Sequence, residues 1–389
     1  MATGTYSDLP LHGLKVVEFC SVAAGPFCGM LLADMGAEVL KIEPPDGDSL
    51  RQWPPITDGF SENFASLNRN KRSMTLNLKD EQDQQLARAL VLRADVLIEN
   101  NRPGVMDRLG LGADSFKTDH PDLVYCSISA FGQEGPRANE GGFDLTIQAA
   151  AGVMSVTGEA DGGPVKCGVP VSDFASGLYA AFTIAATIIK VKNGQGGSRI
   201  DVPMFGCTLG IAALQTSEYF GTGKNPLKLG AAHPRNAPYE AFRSKDGHFV
   251  IAAGNQKLWQ SVCELANMPH LLTDARFAST LDRAKNQVAL KTLLEESFTT
   301  RDTDYWIDAC RERGVPHARI NNYETALRDP QVKHMQWVQE ITLPNGATTN
   351  TFISPVRING ENLPVRLDPP EKGESNERVE DFLGQRKWA

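Results

Sequence analysis

Few of the patterns that announce a chemistry occur in this sequence. It has no Walker loop, no HExxH, no GxSxG and no EF-hand, so P-loop chemistry, metal hydrolysis and serine hydrolysis have no support. The seven cysteines, at 20, 28, 126, 167, 207, 263 and 310, are odd in number, widely spaced and never CxxC. That usage suits reduced, mostly buried thiols in a cytoplasm, and neither a disulfide nor a zinc site is expected. The seven histidines, at 12, 120, 233, 248, 270, 317 and 334, include no pair at ligand spacing, so no metal is expected. Surplus positive charge is missing as well. The net charge is −8 and the basic residues are scattered, which argues against nucleic acid or an anionic membrane surface as the main partner. The opening MATGTYSDLP lacks a charged segment followed by an apolar run, so no signal peptide is expected. The most apolar stretch, Leu178 to Ile189, falls short of the roughly 20 residues a membrane span needs. The expected location is the cytoplasm.

What remains is an ordinary globular composition, 41% hydrophobic and 22% charged, in 389 residues, more than one core usually fills. Two domains are therefore expected. From Lys15 a short apolar strand, KVVEF, is followed by an apparent loop and helix and by a second strand, AEVLKIE. Strand, helix and strand within about 30 residues predict a βαβ unit and a parallel sheet. Further strands are predicted at SMTLNL, DVLIEN, LVYCSIS and SRIDVP. Residues 222 to 238 are rich in turn formers and predict a linker, and 239 to 328 a compact unit opening on a hairpin at Asp246-Gly247. The strands WVQEITLP and NTFISPVRI predict a return to the larger domain. The expected division is 1–221 with 329–389 for the large domain, and 222–328 for the linker and a small α+β domain.

One stretch organises the rest. In KCGVPVSDFASGLYAAFTIAATIIKVKNG, Phe174, Leu178, Phe182, Ala185 and Ile189 recur at helical spacing behind a single acid, Asp173. Spacing alone leaves two readings of the acid open, a helix cap supplied by Ser172 or Asp173 and a functional carboxylate. Basic residues offer further candidates. Arg69, Lys71 and Arg72 precede a strand, and Arg102 and Arg108 flank a Pro-Gly turn; each set suits a phosphorylated ligand or a solvated edge.

Several stretches, in order and across nearly the whole chain, resemble the family III CoA-transferases: LKVVEF with AAGP, GAEVLKIE, NRNKRSMTLNLK, ADVLIENNRPGVMDRLG, SISAFGQEGP, GGFDLTIQAAAGVM, DFASG, APYEAF, KDGHFVIAAGNQ and GVPHARI. The resemblance implies a Rossmann-like, CoA-binding large domain built from both chain ends, and a homodimer of two interlinked open rings with the active site between domains of both subunits. It implies acyl-CoA and small carboxylic acids as partners, with coenzyme A a substrate and no tightly bound cofactor.

Position by position, the family's catalytic aspartate matches Asp173. Its CoA contacts match Ala23, Ala24, Leu76, Lys79, Asn100, Asn101, Arg102 and Arg108. A position that is often arginine in relatives is Pro44 here, with Arg51 a conceivable replacement. The family's mobile loop matches Gly254, Asn255 and Gln256, which is shorter and less glycine-rich than in oxalate-using members. His233, Phe143 and Asp144 are further substrate or lid candidates, and Lys166, Arg137 and Arg235 could each pair with a second carboxylate or be surface charges. The implied reaction moves CoA from a donor, with succinyl-CoA or another short acyl-CoA favoured, to a short dicarboxylate through an aspartyl-CoA thioester. An unperturbed Asp titrates near ~3.9, so Asp173 is expected to be ionised at neutral pH. The alternative on the same fold is a 2-methylacyl-CoA racemase, whose GHD histidine is replaced here by Phe143, a side chain that cannot move a proton. A non-catalytic CoA-binding protein would most simply have lost Asp173. A nicotinamide dehydrogenase lacks its glycine fingerprint.

Overall fold

The structure, a computed structural model, describes residues 8–384, so most of the segment weighed as a signal peptide lies outside the described residues. The chain forms two compact units. The larger takes the chain up to Val153, Lys166–Lys224 and the chain from Pro330; the smaller takes Met154–Val165 and Asn225–Asp329. The segment Met154–Val165, expected in the large domain, thus groups with the smaller unit. There Gly230 N–H bonds the Gly158 carbonyl, and Lys228 bonds the carbonyls of Gly162 and Gly163.

The larger unit is built on strands β1 (Lys15–Phe19), β2 (Glu38–Glu43), β3 (Lys71–Thr75), β4 (Val96–Glu99), β5 (Val124–Ser129) and β6 (Ser198–Pro203). All neighbours are parallel, and their order is β3-β2-β1-β4-β5-β6. This is the doubly wound order, with its reversal between β1 and β4. The strands read as unbroken apolar runs because both faces are covered. One face sets Val16, Val39, Val96 and Val124 beneath helices α1 (Ala24–Asp34) and α5 (Val171–Lys192). The other sets Val17, Leu40, Met74 and Leu97 beneath α2 (Glu81–Val91) and Phe382 of the closing helix. Both chain ends therefore build this unit. Between β5 and α5 lies the short α4 (Asp144–Ala150), and α3 (Val105–Arg108) follows β4. The strands Val338–Thr342, Thr348–Phe352, Ser354–Ile358 and Glu361–Leu363 make two separate hairpins rather than extending the main sheet.

α5 inverts what its apolar stripe suggests. The residues it buries are Ser172, Ala175, Ser176, Gly177, Ala180, Ile184 and Ile188, whereas Leu178, Phe182 and Ile189 are 55%, 74% and 63% exposed. Close approach explains the choice. A Cβ on Gly177 would come within 2.9 Å of the Ala24 carbonyl and 2.8 Å of the Phe27 ring, so α1 can lie here only against a bare backbone. The helix also corrects the length argument about membranes. Its 22 residues are long and apolar enough to cross one by length and composition, because the small residues from Ala175 to Gly177 extend the apolar run. In this fold the small face is occupied by α1 and the sheet.

Charges lie within the α1-covered face of the sheet. Glu18 on β1, Lys41 on β2 and Lys71 on β3 are fully buried, and the Glu18 carboxylate binds Lys41 at 3.2 Å and Lys71 at 2.9 Å. Lys41 also meets Asp48 at 2.9 Å, and Lys71 donates to the Pro26 carbonyl at 2.8 Å. A Cβ on Gly29 of α1 would land on the Glu18 carboxylate.

The smaller unit pairs Tyr239–Arg243, His248–Ala252 and His317–Arg319 in an antiparallel sheet. Phe242, Phe249, Trp259, Phe298 and Trp306 fill its core.

Candidate active site

In a doubly wound sheet, ligands bind beyond the carboxyl ends of the strands, where strand order reverses. Here the loops after β1 and β4 flank that point. Ser21 N–H donates to Asn100 Oδ1 at 3.0 Å, and Asn100 Nδ2 returns a bond to the Ser21 carbonyl at 2.8 Å. Val22, next in the chain, has φ 66°, a left-handed conformation costly for a β-branched residue. Its N–H lies 3.1 and 3.3 Å from the two Asp48 carboxylate oxygens, so a buried acid tied to Lys41 holds the strained turn. Ala23 and Ala24 follow, Ala24 opening α1 with its carbonyl against Gly177.

Gly177 is one helical turn beyond Asp173, so α5 brings its acid to the same region. Asp173 is the third residue of α5, and the helix begins after Pro170 with no side-chain cap. The capping reading of Asp173 is therefore not what the fold uses. Among the described residues, nothing donates a hydrogen bond to its carboxylate. The neighbouring acid is fully engaged instead: Asp144 Oδ1 accepts Ser172 N–H at 2.9 Å, and Oδ2 accepts the Gln148 side-chain amide at 2.7 Å. Burial, and then the Asp144 charge, push the Asp173 carboxyl up to about 7. The expectation of an ordinary aspartate, ionised well below neutral pH, is corrected: this carboxyl titrates near neutrality.

The remaining candidates separate into those that face outward and those the fold consumes. Lys79, Arg102 and Arg108 are exposed, and Arg102 lies over Gly141, two residues before Phe143. Asn101 donates its N–H to Glu99 at 2.8 Å. Leu76 is buried with Met74 and Leu90, which leaves only its backbone to meet a ligand, and its N–H is already bonded to Glu43. Arg69 and Lys71 are not available to a phosphate. Arg69 forks onto Asp34, as Lys71 binds Glu18, at buried sites. Arg51 does not stand in at Pro44, since it forks onto Glu43 at 2.8 and 2.7 Å and lies over the Phe64 ring. Phe143 is 71% exposed at the start of α4, where its N–H donates to Thr146. Arg137 pairs with Glu140 on the surface, Lys166 is exposed and bonds the Cys167 carbonyl, and Arg235 is exposed.

In the smaller unit, His233 Nδ1 accepts the N–H groups of Arg235 and Asn236, both at 3.1 Å, which places its proton on Nε2. Burial and the Arg235 charge lower its pKa, so it is a neutral ring fixed in a loop. Gly254 is exposed, Asn255 caps the helix Gln256–Leu265, and the Gln256 side chain accepts from the buried Arg283. The same guanidinium donates to the Ala237 carbonyl at 2.8 Å, tying both loops together. Gln148 was missed. Fully buried, it bridges Asp144 to the Cys167 N–H, and a polar side chain four residues after an acid on a small-residue helix is the signal that could have found it.

A family model for CoA-transferase family III matches residues 11–376. The chain is similar to the succinate–glutarate CoA-transferase of Agrobacterium fabrum, 33% identical over 378 residues that cover 95% of this chain and 94% of the relative. It is also similar to the acetyl-CoA:oxalate CoA-transferase of Acetobacter aceti, 39% identical over 324 residues, 83% of each chain. Among solved structures, a CAIB/BAIF family protein from Brucella suis superposes with a TM-score of 0.84 at 37% identity, covering 96% of this chain and 99% of that one. With the doubly wound sheet and this extent of similarity, the chain belongs to CoA-transferase family III, and is an enzyme of CoA-transferase type.

Proposed function

We propose that the enzyme moves coenzyme A from succinyl-CoA, or another short acyl-CoA, to a short dicarboxylate through a thioester on Asp173. The observation that carries this reading is a carboxylate that no described residue donates a hydrogen bond to, opening an apolar helix beside the reversal of strand order. A carboxylate attacks weakly in water, where hydration stabilises it; a partly buried one with a raised pKa is a better nucleophile. The ionised Asp173 attacks the donor thioester carbonyl and releases CoA thiolate, leaving a mixed anhydride. Thiolate then attacks the aspartyl carbonyl, and the donor acid leaves. The acceptor acid reverses both steps and departs as its CoA ester. Holding the thiolate close supplies much of the rate. The exposed Lys79, Arg102 and Arg108 and the turn at Ala23, Ala24, Asn100 and Asn101 seat the CoA.

Phe143 weighs against the racemase, since the exposed ring has no proton to exchange. The intact Asp173 weighs against a non-catalytic CoA binder. Dicarboxylates are favoured because the Agrobacterium and Acetobacter relatives are named for succinate, glutarate and oxalate. We place the enzyme in the cytoplasm, where seven unpaired cysteines persist. We further propose an interlocked homodimer, supported by an apolar groove of about 640 Å³ where Leu178 and Phe182 meet Phe27, Met30, Ile353 and Val356.

The test is intact-protein mass spectrometry of wild type and Asp173→Ala after incubation with succinyl-CoA, glutaryl-CoA, acetyl-CoA and oxalyl-CoA, with hydroxylamine or borohydride trapping. An adduct at Asp173 with some donors is expected. No adduct, together with deuterium exchange at the α-carbon of a 2-methylacyl-CoA, would give the racemase reading instead.

A further inference from the structure

At the start of α5 two carboxylates stand together, and the fold gives every donor to one of them. Asp144 receives the Ser172 N–H and the Gln148 amide, and Gln148, with no exposed surface, is itself fixed by the Cys167 N–H at 2.8 Å. Two donors thus fix the Asp144 carboxylate in place. Asp173 receives none, and the one charge acting on it among the described residues is Asp144. α1, packed on the same turn of α5, sets Ala24, Phe27 and Cys28 against Gly177, and the Phe27 ring lies 4.5 Å from that of Phe174. Among the described residues no cation acts on Asp173.

We propose that Asp144, its carboxylate fixed by the Ser172 N–H and the buried Gln148 amide, is a positioning residue that loads repulsion onto the free Asp173 carboxylate and releases it when Asp173 is acylated. The inference rests on Asp173 being the nucleophile. In the first step an Asp173 oxygen bonds the donor carbonyl carbon, the C–S bond breaks, and its electron pair leaves as CoA thiolate. In the second, that sulfur bonds the Asp173 carboxyl carbon, the anhydride C–O bond breaks, and the pair leaves on the donor carboxylate. Residue 173 goes from charge −1 to neutral, and the displaced charge departs with the free acid. No proton, oxidant or reductant is consumed. A free enzyme raised by like-charge repulsion thus shifts the half-reaction toward the covalent enzyme. The Asp173 pKa is raised first by burial and then by the Asp144 charge, and the second of these is consistent with this role.

The half-reaction equilibrium distinguishes charge from scaffolding. The ratio of Asp173-CoA thioester to free enzyme is measured by intact mass at about pH 8.5, above the range in which Asp173 titrates, at a fixed ratio of succinyl-CoA to succinate, or acetyl-CoA to acetate if that donor labels better. Asp144→Asn is expected to lower the ratio about tenfold, the equivalent of one pK unit, and Gln148→Met about threefold. Asp144→Glu, which keeps the charge, is expected to restore most of it. A scaffold alone would slow the approach to equilibrium without moving the end point. An unchanged ratio in Asn and Met variants that fold overturns the proposal, as does a drop that Glu does not reverse. If Asp144→Asn does not fold, Gln148→Met decides. Wild type without any adduct at Asp173 overturns the proposed function and this inference together; an adduct with an unmoved ratio overturns the inference alone.

Discussion

Asn100 and the backbone of Ser21 close a two-bond ring across the reversal of strand order, at 3.0 and 2.8 Å. The ring makes one rigid lip of two loops that come from separate βα units, and Val22 is strained on that lip. Asn100→Asp keeps the shape and loses the donor, setting a carboxylate against the Ser21 carbonyl. Losing such a bond costs about 1–2 kcal/mol. If the lip seats CoA, the KM for the acyl-CoA donor rises roughly tenfold while kcat stays within about twofold. Steady-state kinetics check this, and an unmoved KM would remove the lip from the CoA site.

The ionisation of Asp173 makes a second prediction, and its sign follows from linkage. A carboxyl whose folded pKa is raised keeps a proton that the unfolded chain releases between pH ~4 and ~7, so stability falls as pH rises through that window. Above it the full cost remains. Asp173→Asn has no charge to bury and is expected to be more stable than wild type at pH 8 by about 2–4 kcal/mol, with the gap closing toward pH 4. Thermal melts at the two pH values test it. The same titration predicts that adduct formation rises with pH and levels off above about 7. A gap that is equal at both pH values would mean that Asp173 titrates normally.

Exposure of α5 supplies a third. Phe182, 74% exposed on an otherwise apolar groove, is expected to be covered in the homodimer. Phe182→Asp would bury a charge there, a cost of several kcal/mol that is enough to yield monomers at micromolar concentration. Light scattering after size exclusion gives the mass. A variant that remains dimeric would show that this face is not in the interface.

The parallel sheet, its strands and the helix behind Asp173 were legible in the sequence because they depend on local periodicity. What was not legible depends on partners far apart in the chain. Arg69 and Lys71 suited either a phosphorylated ligand or a solvated edge, yet they neutralise Asp34 and Glu18, 35 and 53 residues away. Asp173 read as an ordinary aspartate because its burial, and the Asp144 charge brought to it by a different helix, both come from tertiary packing. The stripe of Phe174, Leu178, Phe182 and Ile189 identified the helix but not its inner face. α1 comes so close that only Ala, Ser and Gly fit beneath it, and periodicity carries no information about how near a neighbour will lie.

The buried trio of Glu18, Lys41 and Lys71 also bears on how the chain finds its pairing. Runs of Val, Ile and Leu would tolerate strands displaced by a residue, since either face of such a strand is apolar. Glu18 and Lys41 are direct register partners, and Lys71 lies opposite Val39 on the same face of the sheet. Moving β2 or β3 by one residue turns its lysine into the layer of Leu40, Met74 and Phe382, where no acid waits. Misaligned sheets thus carry an unpaired charge in hydrocarbon, and the three edge-side strands have a single pairing in which every ammonium is neutralised.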